Sequence, residues 1–288
     1  MRIRDTYPEI ETHFPTDHFS LPAWRAYAAT ISATLAGKVE ADTAAYDFGR
    51  DVLPLVRAAL TDREQMRRVH ESFAACTGNL QARMEATLGL APDADIILYL
   101  GLGSGAGWAT ALDSRPAVLL GIEKIIELDW CDRDTLCALV YHELGHLWHD
   151  AMRGGRSTVK GQNEKALWQL YREGIAMRCE QLLLGNTSAY HQDRDGWLEW
   201  CRSHEDEIKR EYLRRMRAGE STQDFFGDWE NYEGHADVGY YLGCAFVGHL
   251  LRRYTLAQAA ILDTAEILRE FVCYAGGEND VCHGICDA

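Results

Sequence analysis

Apolar residues in the first third of the chain recur at helical intervals. Trp24, Tyr27, Ile31 and Leu35, then Val52, Val56 and Leu60, fall three or four residues apart or at multiples of that spacing, so each set shares one face of an α-helix. Ser20, two residues before Pro22, supplies an N-cap and an early-turn proline. Residues 20–90 are therefore predicted to be helices layered over the rest of the molecule, with His70 on a solvated helix face. After residue 95 the pattern changes. Ile96–Leu100 and Ala117–Ile122 are short apolar runs with β-branched residues, which predicts two strands of a small sheet. Between them Gly101, Gly103, Gly105 and Gly107 mark a loop. The loop matches G-x-G-x-x-A, but no clear helix start follows to receive a pyrophosphate. Trp108–Ala111 reads either as an edge strand that can pair with an extended peptide or as a buried strand.

Helical periodicity then returns. Asp132 is placed to cap a helix, Asp134 lies in its first turn, and Arg153 before Gly154-Gly155 marks its end. A second helix carries Leu167, Leu170, Tyr171, Met177 and Leu182 and stops near Gly185-Asn186. Residues 195–217 form a charged amphipathic helix with Trp197, Trp200, Ile208, Tyr212 and Met216 inward. Gly219 to His235 is polar yet holds Phe225, Phe226, Trp229 and Tyr232, a composition suited to a loop over a cleft or to a surface loop pinned by aromatics. Helices over 237–253 and 256–275 close the chain, the second opening on a Thr255 to Gln258 capping box. The sum is an α+β fold, mainly helical, with a small sheet ahead of the Asp132 helix. It is organised as an N-terminal helical region, 1–90, and a second region, 91–288, or as one continuous domain.

Charge narrows the partners. Lys and Arg total 29 against 44 Asp and Glu, a net charge of -15, which argues against nucleic acid and anionic membranes. The start lacks an apolar signal region and no later run reaches membrane-spanning length, so a soluble, cytoplasmic protein is expected. Nine scattered cysteines, an odd number, fit reduced thiols better than a disulfide framework. Cys282 and Cys286, with Cys273 upstream, match no standard zinc spacing and are expected as plain thiols.

The Asp132 helix carries the chemistry. It contains Tyr141-His142-Glu143-Leu144-Gly145-His146, an H-E-x-x-H pentapeptide. Residues four apart stand one turn above one another, so His142 and His146 can offer two imidazole nitrogens to one metal ion. Glu143 lies about 100° round the helix and borders the site, where its carboxylate can take a proton from the attacking water. Chance alone produces such a pentapeptide in roughly one chain in a hundred of this length, so a third ligand has to be found before the motif means catalytic zinc. A metzincin would need Gly at 149 and His at 152, and the chain has His149 and Met152. A glutamate from a following helix is the other common solution, and Glu173 in Tyr171-Arg172-Glu173-Gly174-Ile175-Ala176 supplies one. Gly174 beside it is expected to let the two helix backbones approach closely.

H-E-L-G-H followed by E-G-I-A resembles the gluzincin metallopeptidases, and within them a bacterial group of zinc-dependent proteases in which a segment like Gly239-Tyr240-Tyr241-Leu242-Gly243 follows. The resemblance covers roughly residues 95 to 255. It implies a gluzincin-like fold, a Zn2+ cofactor on His142, His146 and Glu173, Glu143 as general base, and hydrolysis of a peptide or protein substrate. A downstream Tyr or His supplies the oxyanion donor in such enzymes, which points here to Tyr240, then Tyr241, then His235. The gap from His146 to Glu173 is longer than in the best-known gluzincins, so Asp150, Glu164 and Glu180 stay open as ligands or supporting groups. Two other functions also stay open: a regulatory protease that cleaves a single repressor-like partner, since H-E-L-G-H occurs in phage regulators of that kind, and a zinc-binding protein without peptidase activity.

Overall fold

The two apolar runs become neighbouring strands of one sheet. A computed structural model describes residues 1–154, 161–227 and 230–276, and the chain divides into two compact units, 1–147 and 148–288. The first unit holds a four-stranded sheet in the order β1-β2-β4-β3: β1 (Arg2–Asp5), β2 (Asp95–Tyr99), β3 (Gly107–Leu112) and β4 (Arg115–Gly121). β1, β2 and β4 are parallel, and β3 runs antiparallel to β4 along the outer edge. β2 and β4 are buried over nearly their whole length, as expected for parallel strands covered on both faces. β3 is mostly half-exposed, so of the two alternatives for Trp108–Ala111 the edge strand is the one observed. It joins β4 through Asp113 and Ser114, both left-handed (φ 48° and 66°), the two-residue turn whose twist suits a hairpin.

Around the sheet lie α1 (Tyr7–His13), α2 (Leu21–Ile31), α3 (Leu35–Asp42), α4 (Leu53–Thr61), α5 (Arg63–Thr77), α6 (Leu80–Leu88) and α7 (Ile122–Glu127). Ser20 caps α2 by accepting from the Ala23 amide, as its sequence position predicts. The N-terminal region is not purely helical, because β1 pairs with β2 and places Arg2–Asp5 in the sheet. A buried polar clasp ties α2 to β2. The Tyr27 hydroxyl donates to Thr6 Oγ1 (2.6 Å), which donates to the Leu98 carbonyl, and Tyr27 also accepts from the Leu100 amide at 2.9 Å. Trp24 Nε1 donates to the Leu100 carbonyl at 2.8 Å. His70 departs from its expected solvated face: Nδ1 lies 2.6 Å from Asp5 Oδ2, and the ring stacks on Tyr7. Its helix, α5, packs on β1, and the Asp5 carboxylate gives the imidazole a partner there.

The unit boundary falls inside α8 (Arg133–Arg153), which bears the H-E-x-x-H residues. Asp132 Oδ1 accepts from the amides of Asp134 and Thr135, each at 3.0 Å, so two of the helix's orphan donors are satisfied as expected. The second unit contains α9 (Gln162–Leu184), α10 (Trp197–Ser203), α11 (Glu205–Ala218), α12 (Val238–Leu250), α13 (Leu256–Ala259) and α14 (Thr264–Gly276). The helix expected over 195–217 breaks at His204, whose Nδ1 lies 2.8 Å from the Trp200 carbonyl at the end of the first half. The one expected over 256–275 is likewise two, although the Thr255–Gln258 capping box forms. Trp229, Cys282 and Cys286 lie outside the described residues. Among the described residues, no helix is long and apolar enough to cross a membrane, and seven cysteines are free thiols.

Tyr27→Phe removes the hydroxyl at the centre of the clasp and strands the buried Leu100 amide, so it should cost about 1–3 kcal/mol. Urea unfolding checks this, and an unchanged midpoint would show that the clasp is dispensable.

Candidate metal centre

Four polar side chains of α8 are buried in succession: His142, Glu143, His146 and His149. The His142 and His146 rings lie 4.8 Å apart between centroids and nearly perpendicular, as one helical turn dictates. Glu143 points elsewhere. Its Oε2 accepts from the Ala109 amide of β3 at 2.7 Å, which ties the carboxylate to the sheet edge. Gly107 makes room for it, since a Cβ there would come within 2.7 Å of Glu143 Oε1 and 2.9 Å of Leu139 Cδ1. His149 takes no part in this geometry: its Nε2 lies 3.1 Å from the Ala260 carbonyl and its ring packs on Trp168 and Tyr171.

The glycine loop before β3 is also built on a carboxylate. Glu123 of α7, 1% exposed, accepts from the amides of Gly101 (2.7 Å) and Gly103 (3.0 Å). A side chain at Gly101 would overlap Glu123, and one at Gly121 would crowd it. The loop's amides thus close on an internal carboxyl group. Burial pushes the Glu123 carboxyl above its usual range, and the two amides pull it partly back.

Glu173 lies half-buried on α9. His142, His146 and Glu173 form a group whose ligand atoms all lie within 4.8 Å of one another, and His142 forms a second such group with Glu180 and His191. These side chains could hold a metal ion. Two imidazoles and a carboxylate are a donor set found in catalytic zinc sites, so the residues fit that ion. Asp150 and Glu164 belong to neither group; Asp150 pairs with Arg172 at 3.4 Å.

Gly174 does not serve the approach of α8 and α9 that was expected of it. It abuts α12: a Cβ at Gly174 would overlap the Gly243 carbonyl, and one at Gly243 would lie 2.5 Å from the Leu170 carbonyl. Adjacent helical residues point about 100° apart, so Gly174 faces a different neighbour from Glu173. The E-G-I-A and G-Y-Y-L-G segments are therefore packing partners through their glycines.

The two tyrosines of that second segment diverge. Tyr241 donates its hydroxyl to Glu205 Oε2 at 2.5 Å, and Tyr274 donates to the other oxygen of the same carboxylate at 2.8 Å. Tyr240 is half-buried, with its ring 5.7 Å from Phe226 and 6.4 Å from His191. His235 stacks on Trp200 at 3.8 Å. His191 is a residue that sequence reasoning passed over. Its Nδ1 lies 2.9 Å from Glu180 Oε2 in a pair whose side chains are 4% and 0% exposed, and Gln192 Nε2 lies 2.9 Å from its other nitrogen. No spacing motif marks it, and only the burial of Glu180 late in α9 could have hinted at a partner. Comparison with known proteins adds no relative: no family model, curated protein or solved structure matches the chain.

Gly107→Ala should crowd the Glu143 carboxylate and destabilise the protein by about 1–3 kcal/mol. In a Glu143→Ala background the cost should shrink, because one of the two clashing groups is gone. Equal costs in both backgrounds, measured by denaturant unfolding, would mean that Gly107 is not there to seat Glu143.

Proposed function

We propose that the chain is a zinc-dependent metallopeptidase of the gluzincin kind, with His142, His146 and Glu173 as ligands and Glu143 as general base. The observation that carries this reading is the buried H-E-x-x-H stripe, two imidazoles one turn apart beside a carboxylate anchored on an edge strand. Of the two groups that share His142, the one with Glu173 suits catalysis better. Glu173 is half-buried, whereas Glu180 and His191 are buried and already hydrogen-bonded to each other, and a catalytic ion needs an open position. When bound, zinc supplies Lewis acidity that polarises a peptide carbonyl and acidifies water. Glu143 then takes the proton as water adds and returns it to the departing amine. The Ala109 amide holds one oxygen of Glu143 and leaves the other to exchange the proton.

β3 fits the substrate side of this chemistry. The Ala109 N–H points away from β4, so by alternation the backbone groups of Gly107 and Ala111 face outward too. An extended peptide can pair with such an edge. For the oxyanion, Tyr240 is the better donor of the two tyrosines, because the Tyr241 hydroxyl is committed to Glu205.

The purified protein should hold about one zinc per chain, measured by plasma mass spectrometry, and His142→Ala or His146→Ala should empty the site. Full occupancy in either variant would refute the ligand assignment. Loss of zinc in Glu180→Ala but not in Glu173→Ala would move the third ligand.

Glu143→Gln should keep zinc and fold yet lose hydrolysis of a peptide library, since an amide cannot accept the proton. An active Gln variant removes Glu143 from the chemistry. Cleavage of one partner protein alone would favour the regulatory protease, and zinc without turnover in the wild type the binding protein.

Tyr240→Phe should lower turnover on the order of a hundred- to a thousand-fold at unchanged thermal stability, while Tyr241→Phe should lower stability first. Two fully active variants would leave the oxyanion donor elsewhere.

A further inference from the structure

Glu123 is a buried carboxyl group that the chemistry proposed above leaves unused. It is the second residue of α7 and is 1% exposed. Among the described residues it forms no ion pair, and the neighbouring Lys124 reaches Glu127 instead, at 2.6 Å. Burying a carboxyl group is costly unless hydrogen bonds replace its water, so what its two oxygens hold is the informative point. They accept from the amides of Gly101 (2.7 Å) and Gly103 (3.0 Å). Room is left on two sides, since a Cβ at Gly101 would overlap Glu123 Oε1 and one at Gly121 would lie 3.2 Å from it. Glutamine has the same shape but a single acceptor, and its NH2 group would face one of the two N–H groups.

A short stretch of chain leads from this clamp to Glu143. The clamped amides begin the loop between β2 and β3. Four residues after Gly103, Gly107 starts β3 and leaves the space that Glu143 occupies. Two residues further on, the Ala109 amide donates to Glu143 Oε2 at 2.7 Å. The far side of the loop is tied down at the same place, because the Gly121 amide, two residues before Glu123, donates to the Ala106 carbonyl at 3.0 Å. Both ends of the loop are therefore held against the junction of β4 and α7, and the start of β3 follows the loop.

We propose that Glu123 is a positioning residue for Glu143: its hold on Gly101 and Gly103 fixes where β3 presents the Ala109 amide, and that amide fixes the Glu143 carboxylate. The effect on turnover rests on the metallopeptidase reading above, whereas the mechanical link from Glu123 to Ala109 does not. In Glu123→Gln one loop amide loses its acceptor, the loop and the start of β3 shift, and Glu143 loses its alignment. Misplacing a reacting group by about 1 Å costs on the order of a hundred-fold in rate, so kcat should fall by about that factor while KM changes far less and zinc is kept.

Amide hydrogen exchange of the full-length protein, followed residue by residue by NMR, tests the link. In Glu123→Gln the Gly101 or Gly103 amide should exchange faster and the Ala109 amide should quicken with it by about ten-fold, as the loss of one ordinary hydrogen bond allows, while the amides that join β2 to β4 keep their rates. Gly101→Ala, whose methyl group overlaps the Glu123 carboxyl, should give the same pattern and serves if the Gln variant does not fold. Faster exchange confined to Gly101 and Gly103, with Ala109 unchanged, would overturn the proposal, because the clamp would then end within the loop. Peptide-library hydrolysis by the same samples supplies the second readout, and an unchanged kcat per folded molecule in Glu123→Gln would also overturn it. No hydrolysis by the wild type would refute the metallopeptidase reading instead, and the exchange pattern would still decide whether Glu123 holds Ala109.

Discussion

Burying a polar stripe along one helix is the constraint on which this structure depends. α8 passes through the interior with His142, Glu143, His146 and His149 all less than a tenth exposed. Each carries nitrogen or oxygen atoms that cost several kcal/mol to bury without a partner, about 2–7 for a neutral group. Partners come from different directions, the Ala109 amide for Glu143 and the Ala260 carbonyl for His149. A helix evolved only for packing would carry leucines at these positions. The retained polar cost is the physical argument on which the proposed function rests.

Glycine is used repeatedly to let such groups in. Gly107 admits Glu143 beside β3, and Gly101 and Gly121 admit Glu123 beneath the loop that leads to that strand. Both carboxylates reach backbone amides at hydrogen-bond distance, Glu143 that of Ala109 and Glu123 those of Gly101 and Gly103. The edge strand and its loop are thereby held by two buried carboxyl groups. At Gly174 and Gly243 the same absence of a side chain serves helix packing, bringing α9 and α12 into backbone contact. That contact fixes the α9 turn that bears Glu173 and the α12 turn that bears Tyr240 and Tyr241 within one framework.

Much of this was legible in the residues, and the failures have physical reasons. Asp132, the i, i+4 histidines and Arg153 marked α8 because caps and periodicity are local signals. The apolar runs gave β2 and β4 because strands buried on both faces need no alternation to be seen. β1 was invisible, since Arg2-Ile3-Arg4-Asp5 is charged and only its pairing with β2 makes it a strand. The β3–β4 hairpin was hidden because Asp-Ser, not Asn-Gly, adopts the two left-handed positions. Gly174 serves α12 rather than α8, because adjacent helical residues point about 100° apart and Glu173 faces elsewhere. Glu180 with His191 is a tertiary pairing across a loop, and no periodicity encodes it.

The position of a bound ion is the most direct discriminator. Crystals of the protein soaked in zinc and measured on both sides of the zinc absorption edge should show one anomalous peak about 2.0–2.1 Å from a nitrogen of His142 and one of His146, with the Glu173 carboxylate completing the protein ligands. A peak held by Glu180 and His191 without His146, or no peak at the two histidines of α8, would contradict the proposed zinc site.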